Sequence, residues 1–180
     1  MNQELNDLMK ANVAALRSNG YPGRGIIQGL TPDGQNYVQV YWIMGRSENS
    51  RNRIFINENG FIKTKAYDEA KVTDPSLIIY YPAKYSGGSH IITNGDQTDT
   101  IFAALGSGGT FESALNTRTF EPDAPNFTPR ISGIVNLRST GNQYAYQLSI
   151  LKGLKDNPDV CIRHYFNYET AIPGVGHCLH

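Results

Sequence analysis

Apolar residues Leu5, Leu8, Met9, Val13 and Leu16 recur at intervals of three and four. That is the repeat of one helical face, and with Asn19-Gly20 as a stop it predicts an amphipathic helix over residues 3–18. The period then falls to two. Residues 25–30 and 37–44 read as strands, and Thr31-Pro32-Asp33-Gly34 between them is a turn sequence that makes the pair a hairpin. Asn57-Glu58-Asn59-Gly60 joins strands at 53–56 and 61–65 in the same way. Further strands are expected at 77–81, 90–93, 131–137, 143–151 and 160–168. Two short helices are expected at 97–105 and 110–116, the second capped by Thr110. Many antiparallel strands around a central helical pair describe an α+β layered fold. No internal repeat or linker interrupts the pattern, and residues 119–128 read as a proline-containing surface loop.

With 180 residues, 39% of them hydrophobic, the chain suits one domain with a sizeable core. Sixteen basic and sixteen acidic residues cancel. No global field is left to hold a nucleic acid backbone or an anionic membrane, so an anionic ligand needs a local cluster. No stretch reaches the roughly 20 apolar residues of a membrane span, and the first residues lack the pattern of a signal peptide. A soluble, cytoplasmic protein is expected. Cys161 and Cys178 are too few for a disulfide framework. There is no Walker loop, no complete dinucleotide fingerprint and no Gly-x-Ser-x-Gly elbow.

Against that background, the loop from Gly45 to Arg53 is distinctive, with Arg46, Arg51 and Arg53 beside Ser47 and Asn52. Arginine stays charged and presents planar paired donors, which suits a phosphate; a solvated hairpin loop is the plainer reading. Arg24 and Arg130 open two of the expected strands and are candidates to join it. A second cluster lies between Ile91 and Thr100, where a strand meets Asn94-Gly95, Asp96, Thr98 and Asp99. These polar groups either cap the following helix or hold a ligand. Carboxylates at a helix N-terminus compete with phosphate for the same N–H groups, which moves any phosphate to the arginine loop and leaves Asp99 ionised as an acceptor. Cys161 and His164 stand three apart on an expected strand and so face opposite ways, which argues against a metal site. His177 is an acid/base candidate. Tyr80 and Tyr81, neighbours with opposite facings, offer one hydroxyl to a site.

Gly23-Arg24, Arg46-Ser47 with Asn52-Arg53, Thr93-Asn94-Gly95 followed by Thr98-Asp99-Thr100, and Asn126 to Ile131 together resemble, in content and order, the archaeal-type IMP cyclohydrolase family. The similarity runs from about Tyr21 to Tyr168. It implies a four-layered αββα sandwich of mainly antiparallel sheets, as in N-terminal-nucleophile hydrolases, although Met1 and a helix precede the first strand here. It implies closure of the purine ring of the formamido-imidazole-carboxamide ribonucleotide to inosine monophosphate and water, without metal or cofactor. Under that resemblance Arg46, Arg51 and Arg53 hold the 5'-phosphate, with Arg24, Ser47, Asn52 and Arg130 nearby. Asn94, Thr98 and Asp99 hold base or ribose, and Tyr81, or else His177, carries the proton. The expected partner is a small purine nucleotide, with homo-oligomerisation possible. Asp96-Gln97 departs from the Ser-His of archaeal relatives, and the helix over 3–18 is an addition.

Overall fold

The computed structural model describes residues 3–137, 144–155 and 157–180. The helix α1 (Gln3–Ser18) comes first, followed by the hairpin β1 (Arg24–Leu30) and β2 (Tyr37–Ile43). The hairpin closes where the turn sequence lies: Gly34 N–H bonds the Thr31 carbonyl, and Thr31 N–H bonds that of Asn36. The short α2 (Glu48–Arg51) leads into β3 (Arg53–Glu58) and β4 (Phe61–Ala66). β5 (Ala83–Ser86) and β6 (Ser89–Thr93) precede the pair α3 (Gln97–Gly106) and α4 (Phe111–Asn116). Last come β7 (Arg130–Asn136), β8 (Tyr146–Leu154), β9 (Asn157–Tyr168) and β10 (Gly176–Leu179).

The strands form two sheets, antiparallel at every pairing of named strands: seven strands from β3 to β9 in sequence order, and three in the order β10-β1-β2. β1 lies across β7 and β2 across β6, so the smaller sheet covers the middle of the larger. Ile91 and Ile92 show how one strand serves two layers. Ile92 joins Ile26, Ile131 and Leu148 between the sheets, whereas Ile91 joins Ile134, Leu151, Ile101, Phe111 and Leu115 beneath α3 and α4. Side chains alternate across a strand, so consecutive apolar residues fill both cores, each contributing roughly 1.5–3 kcal/mol on burial. The result is an α+β sandwich in which helices, large sheet and small sheet are stacked. The outer face of the small sheet is open: Val38 and Val40 there are 40% and 42% exposed. α1 buries none of its residues. No described helix is long and apolar enough to cross a membrane.

Several local expectations change. Residues 77–81 are not a strand: a turn at 76–78, in which the Pro75 carbonyl takes the N–H groups of Ile78 and Ile79, leads into irregular backbone. The apolar run is nevertheless core, with Ile78 and Tyr80 buried. Thr64 satisfies its backbone, donating its hydroxyl to the Ile78 and Tyr80 carbonyls and accepting from Tyr80 N–H; buried peptide groups need such partners. β5, β10 and α2 are additional. β9 begins at Asn157, earlier than its apolar run suggests. The strand expected over 143–151 is β8, shifted to Tyr146–Leu154, and Gln143 lies outside the described residues.

Candidate functional site

The chain reaches one end of the sandwich several times, and the gap between the sheets there is a cavity of about 630 Å³, within the usual range for small-molecule sites. Gly23 and Arg24 enter from the start of β1, Arg46 and Ser47 from beyond β2, and Asn94 from the end of β6. Glu121, Asp123, Asn126 and Thr128 come from the loop before β7, and Ile131, Ile150 and Lys152 from the inner face of the large sheet. Polar strand ends over an apolar floor follow from the layering: the cores close the middle, and the connecting loops crowd the rim.

At the inner end, Arg24 Nη1 lies 3.2 Å from Glu121 Oε2, with the carboxylate only 3% exposed. The loop is folded to bring it there. Glu121 N–H bonds the Thr128 carbonyl at 2.9 Å, and Asp123 accepts from both the backbone N–H and the hydroxyl of Thr128. Burial pushes the Glu121 carboxyl above its ordinary value of 4.5, with Arg24 and Arg130 pulling against the rise. Burial likewise opposes the charge of Arg24, but Glu121 together with Tyr80, Tyr41 and Asp123 outweighs it and leaves that guanidinium more firmly protonated. The two groups face each other at 3.2 Å, with Glu121 the member that burial pushes toward its neutral form.

Behind it, Tyr41 and Tyr80 share a hydroxyl–hydroxyl hydrogen bond of 2.7 Å, and burial raises both phenols, Tyr41 furthest. Arg53 stands among these groups. Its three guanidinium nitrogens are buried without a hydrogen-bond partner, and burial lowers its pKa although both tyrosines oppose the change. A buried cation without acceptors leaves uncompensated positive potential at this end.

The outer end is held differently. Arg46 donates to Asn126 Oδ1 at 3.0 Å and lies 5.8 Å from the centre of the Tyr21 ring. Ser47 is the N-cap of α2 in a reciprocal capping box with Ser50. Asn94 lines the cavity, but its amide mainly braces backbone: it donates to the Pro129 carbonyl and accepts from Ile131 N–H and Gln97 Nε2.

Of the twelve residues singled out from sequence, Arg24, Arg46, Ser47 and Asn94 line the cavity together. The other eight are placed elsewhere, for identifiable reasons. Arg51 braces the Arg46 carbonyl and Asn52 pins the Asp68 backbone. Arg53 sits behind the cavity. The Thr98 hydroxyl pairs with that of Thr93, fully buried. Arg130 bonds Asp96 Oδ1 at 2.6 Å and Gln97 Oε1 at 2.7 Å. Asp96, expected as a helix cap, makes no capping bond. Arg118 takes its second oxygen at 2.6 Å. Burial alone would raise this carboxyl, but the two arginines outweigh it and hold it below its ordinary value. The extra negative charge at Asp96 is thus neutralised within the protein. His177 faces the inter-sheet core on β10, its Nδ1 2.7 Å from the Tyr146 hydroxyl and its ring stacked 4.0 Å from that of Tyr168; burial lowers its pKa.

Tyr81 and Asp99 belong to another cluster. The Tyr81 hydroxyl donates to Glu58, which also binds Lys63. Asp99 closes a cage in which the Lys84 ammonium meets the rings of Tyr81, Phe61 and Phe102 at 4.0, 5.3 and 5.0 Å. Asp99→Asn is therefore expected to leave substrate turnover within about twofold of wild type while costing stability of the order of 1 kcal/mol, since the carboxylate is half exposed. Steady-state kinetics beside thermal melts check this, and a tenfold fall in turnover would return Asp99 to the site.

Sequence reasoning missed Glu121, Asp123, Asn126 and Lys152. The signal present was Asn126 to Ile131, which placed the loop beside Arg130 but did not reveal that its acidic residues fold inward. A family model described as IMP cyclohydrolase-like protein matches residues 21–180. No curated protein matches the chain.

Proposed function

Because the chain belongs to the IMP cyclohydrolase-like protein family, we propose that it closes the purine ring of 5-formamidoimidazole-4-carboxamide ribonucleotide to give inosine monophosphate and water. The observation that carries this reading is the buried Glu121 carboxylate at the cavity end, paired with Arg24 and shifted toward neutrality. Ring closure needs a group that takes a proton from the attacking carboxamide nitrogen and later delivers one to the departing oxygen. A carboxyl with a raised pKa serves both steps.

In this reading the imidazole lies over Ile131 and Ile150, with the formyl and carboxamide groups at Glu121. The carboxamide nitrogen attacks the formyl carbon, forming a C–N bond as the C=O electrons move to oxygen. Glu121 accepts the nitrogen's proton, and Arg24, supported by the potential of Arg53, stabilises the developing oxyanion. Proton return to that oxygen, loss of the second nitrogen proton and expulsion of water complete the purine. Both reacting groups already sit on adjacent ring atoms, so holding one rotamer supplies much of the acceleration.

The 5'-phosphate then falls at the outer end, where Arg46 and Ser47 line the cavity. Arg46→Ala is expected to weaken binding of inosine monophosphate roughly 10- to 100-fold, the worth of one charge-assisted contact, while Arg51→Ala binds like wild type. Calorimetric titration distinguishes them, and equal affinities in both variants would move the phosphate elsewhere. A nucleotide-binding relative without turnover is the second reading, and binding of inosine monophosphate without ring closure would select it.

A further inference from the structure

The helix α1 precedes the segment matched by the family model, which begins at residue 21. It is amphipathic, yet Leu8 and Val13 on its apolar stripe are 56% and 50% exposed. A helix of 16 residues is marginal in water without a surface to pack on.

The open face of the small sheet is such a surface. Register puts Ile26, Tyr41 and Leu179 toward the core, so Ile27, Val38, Val40, Trp42 and Cys178 share the outer face with Gly25, Gly29 and Gly176. None of these eight positions carries a charge. Trp42 lies flat over Gly25, where a Cβ would come within 1.9 Å of its ring, and this flattens one end of the platform. Dimensions match as well. The helix is about 24 Å long and 10 Å wide; β1 and β2, of seven residues each, run about 23 Å, and with the four-residue β10 beside them the sheet spans about 10 Å.

We propose that α1 of a second copy of this chain covers the outer face of the three-stranded sheet, each protomer lending its helix to the other. The connection between helix and sheet argues for exchange over folding back. Tyr21 N–H bonds Asn19 Oδ1, the Tyr21 hydroxyl bonds the Met44 carbonyl, and Met44 N–H bonds the Gly23 carbonyl. These contacts anchor the linker to the end of β2, while no residue of α1 is buried. A short, fixed hinge with an exposed apolar element is the usual setting for reciprocal exchange, and twofold symmetry makes two such contacts in each dimer.

Sedimentation equilibrium of the full chain at tens of micromolar tests this. Twice the chain mass is expected. Leu8→Glu with Val13→Glu, and separately Val40→Glu, should each raise the dimer dissociation constant roughly 100-fold or more by placing an unpaired charge in the contact. Ala11→Glu, on the helix face turned away from the apolar stripe, should leave it unchanged. All four positions lie outside both cores, so circular dichroism should show folded variants. A monomeric wild type overturns the proposal. So does a dimer that survives either the helix or the sheet substitution. A monomer whose melting temperature falls with the helix substitutions also overturns it, because the helix then covers its own sheet.

Discussion

Glu121→Gln is expected to lower kcat for ring closure by roughly 10²- to 10⁴-fold, the usual worth of a positioned acid–base group, while affinity for inosine monophosphate changes little. The amide keeps the shape and still accepts a hydrogen bond from Arg24 but carries no proton through the reaction. The pH profile sharpens the prediction. Burial raises Glu121 above 4.5, so kcat/KM should fall with decreasing pH through a value higher than that of a free glutamate. That limb should be missing from the residual activity of Glu121→Gln. The substitution removes a buried charge but leaves Arg24 without a counter-ion, so a melting curve must accompany the kinetics. A folded Glu121→Gln enzyme with wild-type kcat would remove the carboxyl from the mechanism.

Arg24→Ala carries the second large effect, and there stability and function fall together. The side chains of Arg24 and Glu121 are 18% and 3% exposed, so deleting the guanidinium strands a carboxylate in a site already shared with the orphaned Arg53 charge. Removing one partner of a buried pair costs roughly 3–5 kcal/mol. For a chain of this size that lowers the melting temperature by about 6 to 20 °C. The sign of the pH dependence follows. In the variant Glu121 has lost its main cation, so its pKa rises further above the unfolded value. Stability then decreases as pH climbs through that raised value and is partly regained in acid, where the carboxyl is protonated. Arg24→Lys should recover part of the stability but less of the activity, since an ammonium cannot reproduce the planar donor. Thermal melts of Arg24→Ala between pH 5 and 8 that match wild type would show that the pair does not hold the loop.

Elements written in local pattern were legible. The spacing from Leu5 to Leu16 defined α1, and Thr31-Pro32-Asp33-Gly34 defined the β1–β2 hairpin, because periodicity and turn chemistry act within a few residues. Residues 77–81 misled for the converse reason. Their apolar run marked burial correctly, but the backbone bonds both the hydroxyl and the N–H of Thr64 without forming a strand, a tertiary choice that no local pattern encodes. β10 was hidden because Gly174 and Gly176 read as loop; its pairing with β1 comes from the distant end of the chain.

The site divides along the same line. Arg24, Arg46, Ser47 and Asn94 sit at or just beyond strand ends, where the layered fold gathers its loops. Glu121 lay in a segment whose prolines suggested a surface loop, and its contacts with Thr128 and Arg24 turn it inward. The paired tyrosines were recognised as facing opposite ways, but Tyr80 is the inward member, joined to Tyr41, and Tyr81 reaches outward to Glu58. The segment from Ile91 to Thr100 is dense in polar groups chiefly because Asp96, Gln97 and Arg130 lock the end of β6 to the start of β7. Asn94 alone among its candidates lines the cavity.

The central claim is ring closure at the Arg24–Glu121 end of the cavity, and the direct test is to supply the purified chain with 5-formamidoimidazole-4-carboxamide ribonucleotide and follow the rise in purine absorbance. Turnover by the wild type that Glu121→Gln lowers by roughly 10²-fold or more is the predicted result. Tight binding of the nucleotide by the folded wild type, with no purine formed beyond the uncatalysed rate, would contradict it.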